Sequence, residues 1–149
     1  MTAAVDPREA LGRRLSHSFR DRDLLAQALT HRSFANENPG AADNERLALV
    51  GDAVLALVVA ERLLAEAPGE PVGVLTPRRA ALVSGENLAH WARDLGLGAY
   101  LRLGRGEEQT GGRDKESMLA TALEAVLGVV YREGGLEACR RAVAALAVW

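Results

Sequence analysis

The chain has 149 residues, 48% of them hydrophobic, and a net charge of −2. That length suits a single domain able to bury roughly 68–70% of its unfolded surface, which excludes a disordered tail. No apolar run approaches the roughly 18 residues of a membrane span, and the slightly acidic pI of about 5.9 excludes gripping nucleic acid by phosphate neutralisation alone.

In chain order the elements read as helix after helix, because alanine and leucine abound and β-branched residues never alternate over a strand length. The first helix is expected from about Asp6 to Leu11, ended by Gly12. The second starts at Asp21, a good N-cap, and carries the apolar stripe Leu24, Leu25, Ala28 and Leu29. His31-Arg32-Ser33 then reads as its end, a cationic C-terminus rather than a catalytic pair. Asn36 to Ala42, with Pro39 and Gly40, reads as a loop. Asp43 or Asn44 caps a long helix to about Ala67, closed by Pro68-Gly69. Its Val50, Ala53, Val54, Leu57, Val58 and Leu64 are apolar nearly all round, as in a central buried helix. Thr76-Pro77 reads as an N-cap and first helical residue, opening a helix through Leu82 and Leu88 to Leu95. Gly104 to Gly112 reads as a flexible loop. A strongly apolar helix from Lys115 to Tyr131 is stopped by Gly134-Gly135, and a last helix spans Leu136 to Trp149. The fold class is all-α, with two buried helices as its axis, and the whole of 1–149 is one domain.

Cys139 stands alone, so no disulfide framework is available and a reducing cytoplasm is the expected setting. The N-terminus, with Asp6, Arg8 and Glu9, has no apolar core of a secretory signal. His17, His31 and His90 fall at no zinc spacing. The glycine-rich stretch lacks the Gly-Lys-Ser/Thr ending and the preceding strand of a phosphate loop. Its Arg102, Arg105, Arg113 and Lys115 are offset by Glu107, Glu108, Asp114 and Glu116.

Two acids sit in apolar company. Asp52 lies among Val50, Val54 and Leu55, and Glu124 lies among Leu123, Val126 and Leu127, with Thr121 one turn earlier on the same face. A lone buried carboxylate is costly to ionise unless something pairs it. Either the two acids meet around a cation such as Mg²⁺, or each has an arginine, Asp52 taking Arg46 or Arg32 and Glu124 taking Arg79 or Arg113.

Leu29-Thr30-His31-Arg32-Ser33-Phe34-Ala35-Asn36-Glu37 and Asn44-Glu45-Arg46-Leu47-Ala48-Leu49-Val50-Gly51-Asp52 resemble the signature of the bacterial ribonuclease III endonuclease domain. The likeness continues through Ala80 to Ser84, Glu86 to Ala89, Leu101 to Glu108 and Leu123-Glu124-Ala125, in the family's order. It implies an all-α ribonuclease III endonuclease-domain fold, a homodimer (intertwined or side by side), double-stranded RNA held between the subunits, and Mg²⁺-dependent cleavage. In the family four carboxylates gather the metal, which activates water and stabilises charge on the scissile phosphate. By position the family's ligands fall on Ala48, Asp52, Thr121 and Glu124, so the resemblance leaves Asp52 and Glu124 as catalytic and metal-binding residues. Ala48 and Thr121 are the degenerate positions. Glu45 cannot stand in for Ala48, being two turns from Asp52, roughly 10.5 Å along the axis.

The resemblance also implies RNA or dimer contacts for Glu45, Arg46, Leu49, Arg105 and Arg113, with Leu49 where the family usually has a phenylalanine that plugs the partner subunit. No double-stranded-RNA-binding domain is expected within these 149 residues. The expected protein binds Mg²⁺ or Mn²⁺ weakly or not at all. It acts on RNA, a ribosomal particle or an active homologue as heterodimer partner, and the alternative is a slow endoribonuclease of double-stranded RNA in rRNA or mRNA processing.

Overall fold

The computed structural model describes residues 5–146, and these fold as eight α-helices joined by short turns. Helix α1 (Pro7–Leu15) starts with proline at its first position and the Asp6 carboxylate accepting from the Arg8 N–H. It runs past Gly12, its expected end. A Cβ there would sit 2.5 Å from the His17 carbonyl oxygen, so this glycine admits the returning chain instead of stopping the helix. Helix α2 (Arg22–Ala28) is capped by Asp21 as its sequence indicates.

His31-Arg32-Ser33 does not end α2. It opens a separate helix α3 (Arg32–Glu37), with the His31 ring accepting from the Ser33 N–H as its cap. Helix α4 (Glu45–Glu66) follows. Asn44, at its N-cap position, is buried and donates to the Ala28 carbonyl, whereas Asp43 accepts from the Glu45 N–H.

The single helix expected from Thr76 to Leu95 is two. Helix α5 (Val72–Leu82) begins a turn before Thr76 with Pro77 inside it, and α6 (Gly85–Asp94) begins afresh where the Ser84 hydroxyl caps it. A 3-10 turn (Leu97–Tyr100) leads to α7 (Arg105–Gln109), a short helix within the stretch expected to be loop. Helix α8 (Glu116–Leu146) is broken at Gly135, whose φ of 70° suits glycine. The expected stop is therefore real: the backbone leaves helical geometry and kinks there. Ala147 to Trp149 lie outside the described residues.

Helices α4 and α8 form the axis of the core. The first half of α8 buries Leu119, Leu123, Val126, Leu127, Val129 and Val130 essentially completely, against Leu47, Leu55, Val58 and Val59 of α4. Only α8 is enclosed as expected. Helix α4 leaves Leu49 73%, Leu57 45% and Leu64 65% exposed along one face. No residue of α5 is buried.

Candidate functional site

The site begins with two glycines. A Cβ on Gly51 would lie 1.6 Å from the Glu124 carbonyl oxygen, and one on Gly128 would lie 2.3 Å from that of Leu47. Helices α4 and α8 therefore cross backbone against backbone, closer than side chains would permit. Asp52 follows Gly51 directly, and Glu124 is the residue whose backbone Gly51 touches. The crossing delivers one carboxylate from each helix to the same place.

There the two acids interact. Burial, a hydrogen bond with Asp52 and the Asp52 charge, in that order, push the Glu124 carboxyl up from 4.5 to about 8. The surroundings differ from the expectation for one member: Glu124 is half-buried, but Asp52 is exposed on the open side of α4. The apolar neighbours read around Asp52 lie on the other faces of the helix. Two of the four candidate arginines, Arg32 and Arg113, are engaged elsewhere. Arg32 Nε lies 3.7 Å from Glu45, and Arg113 forms a two-point pair with Glu108 while donating to the Gly98 and Leu101 carbonyls.

Ala48, one turn before Asp52, is buried in the apolar core, and Thr121 is half-buried one turn before Glu124. Among the described residues no three His, Cys, Asp or Glu side chains converge as a metal-holding group. With both ionised, two carboxylates would carry the charge to balance one divalent ion, and octahedral Mg²⁺ accepts water at vacant positions. The donor set matches a single, largely hydrated ion, not the two ions that four carboxylates would balance.

The other sequence-stated positions scatter around this crossing. Glu45 and Arg46 are exposed at the start of α4, and Leu49 projects outward one turn on. Arg105 opens α7 with an exposed side chain, while its backbone N–H donates to both oxygens of Glu37 at 3.1 and 3.0 Å. Sequence reasoning passed over this corner. The Ser33 hydroxyl accepts from the Gly104 N–H at 2.8 Å, so two side chains of α3, four residues apart, cap α7 from outside. Their spacing on one helical face was the available signal. Glu133 was also missed. Its carboxylate accepts from the backbone N–H groups of Arg20 and Asp21 and lies 2.9 Å from His17 Nε2.

Comparison with known proteins fits this geometry. Residues 21–148 match the family model described as Ribonuclease-III-like. Ribonuclease 3 of Heliobacterium modesticaldum is 53% identical over 133 residues, covering 88% of this chain and 57% of the relative. Ribonuclease 3 of Symbiobacterium thermophilum is 50% identical over 135 residues, covering 91% and 55%. The chain thus spans little more than half the length of these relatives. The crystal structure of the nuclease domain of Campylobacter jejuni ribonuclease III superposes with a TM-score of 0.85 at 39% identity, covering 95% of each chain. A second structure of that domain, with flexibility in a region involved in its dimer formation, gives 0.85 at 40% identity over 93% of this chain and 94% of the other. An all-α architecture built on the α4–α8 crossing, matched along nearly its whole length, places the chain in the ribonuclease III-like family.

Proposed function

We propose that this protein works in double-stranded RNA processing with impaired catalysis, acting by binding RNA, a ribosomal particle or a partner subunit. The observation that supports this reading is the composition of the crossing. Asp52 and Glu124 face each other, with the Glu124 carboxyl held up at about 8, while the flanking positions hold Ala48 and Thr121. Bound Mg²⁺ or Mn²⁺ would supply an activated water and charge neutralisation at a phosphodiester. Asp52 and Glu124 would hold it, with Thr121 offering a neutral oxygen and Ala48 offering none. An ion held by two acids is weakly bound and loosely aimed, and misplacement on the order of 1 Å lowers rates about 10²-fold.

The homodimer belongs to the same reading. Leu49, Leu57 and Leu64 form an exposed apolar face on α4, and Val72 of α5 is 75% exposed beside it. A leucine at position 49 fills less space than the family's phenylalanine, which suits an altered or heteromeric pairing. The cytoplasm is the expected compartment. No helix among the described residues is long and apolar enough to cross a membrane.

The test is incubation of purified protein with long double-stranded RNA in Mg²⁺ or Mn²⁺. The expected result is RNA retention without cutting, and cleavage on introducing Ala48→Glu with Thr121→Asp. Short products from the unaltered chain that disappear in Asp52→Asn would sink the impaired reading. They would establish the second one, a slow endoribonuclease, which the persistence of one acid on each helix favours.

A further inference from the structure

A glycine inside a helix weakens it relative to alanine, so two glycines at one helix crossing call for a reason. Gly128 lies one turn after Glu124 on α8 and faces Leu47, one turn before Gly51 on α4. The approach is reciprocal. The notch at Gly51 receives the backbone of α8 at Glu124, and the notch at Gly128 receives the backbone of α4 at Leu47. Two contact points constrain a crossing in rotation as well as in distance. Each contact is with a carbonyl of the main chain. No flexible side-chain end can move aside, so any added atom must move the helix itself.

We infer that Gly128 is a positioning residue: with Gly51 it sets the separation of the Asp52 and Glu124 side chains. The inference rests on the reading that these two acids form the functional pair. It goes beyond that reading by assigning their spacing to a residue that touches neither carboxylate. A methyl group at position 128 starts 2.3 Å from the Leu47 oxygen and reaches ordinary contact only beyond 3.4 Å. The segment of α4 that carries Ala48 and Asp52 must then retreat by about 1 Å.

The experiment compares the wild-type chain, Gly128→Ala and Val143→Ala, the last a buried residue of α8 beyond the break at Gly135. Melting temperatures and crystal structures are determined for each, without metal or RNA, so an inert protein does not blur the outcome. Both variants are expected to melt earlier. Only Gly128→Ala is expected to part the two carboxylates by about 1 Å. An unchanged separation in Gly128→Ala, or equal parting in Val143→Ala, overturns the assignment. Should Gly128→Ala fail to fold, nuclear Overhauser contacts between the Gly128 α-protons and the Gly51 amide proton in the wild-type chain decide the matter. Their presence supports the inference and their absence overturns it.

Discussion

Two of the glutamates of helix α8, Glu124 and Glu133, lie nine residues apart in the sequence and illustrate opposite ways of seating an acid. Burial pushes Glu133 upward, but hydrogen bonds from the Asp21 N–H, the His17 ring and the Arg20 N–H outweigh it, and its carboxyl titrates below the ordinary range. Its side chain is only 7% exposed and its oxygens are engaged. Glu124 is also half-buried, but it faces another acid and is held up at about 8. A structural acid is surrounded by donors; Glu124 faces a second carboxyl, which makes its ionisation costly.

The largest expected effect comes from removing the well-seated acid. Glu133→Ala strands two backbone N–H groups and the His17 ring, and should destabilise the chain by roughly 2–4 kcal/mol in urea unfolding. Equal tolerance of alanine at 133 and 124 would break the contrast.

The next effect reads the sign of the pH dependence. Glu124 binds its proton more tightly folded than unfolded, so its contribution to stability is full below about 4.5 and is lost as pH rises through about 8. Glu124→Gln removes this dependence. Its melting temperature should gain on wild type between pH 5 and pH 9, and a gain towards acid would contradict the assignment.

Asp52→Asn sharpens the cause. With burial the largest contributor and Asp52 the rest, carboxyl NMR should find Glu124 titrating lower than about 8 but still above 4.5. A return to the ordinary value would mean that the neighbour, not burial, sets the shift. The smallest effect belongs to the α3–α7 corner. Ser33→Ala removes the acceptor of the Gly104 N–H and should cost about 1 kcal/mol, leaving Glu124 unchanged.

The sequence made α8, α2 and the ends of α4 legible because capping residues and glycine breaks act locally, within a few residues of Asp21, Pro68-Gly69 and Gly134-Gly135. It misled at His31, Thr76 and Gly12 for a shared reason. Each has a local meaning, as helix end, cap or stop, that a partner distant in sequence or an alternative cap overrules. Gly12 yields to the His17 carbonyl, and Thr76-Pro77 lies inside a helix that already starts at Val72, while Ser84 caps the next helix. The pairing of Asp52 with Glu124 was one of two arrangements that acids in apolar company left open, arginine partners being the other. The exposure of Asp52 was not legible, because periodicity shows that α4 is apolar without showing which face its own fold leaves bare. The fate of the arginines was equally hidden, since Arg113 answers to Glu108 and two carbonyls that only the folded turn presents.

Helix α5 spends eleven residues without burying one, and it holds a proline in its interior. Its backbone amides have little beyond their own ladder to protect them, so hydrogen exchange there should outpace exchange in α8. If a second subunit covers α5, ordering this helix and association become one equilibrium. Protection of the Val74 and Leu75 amides would then rise with protein concentration.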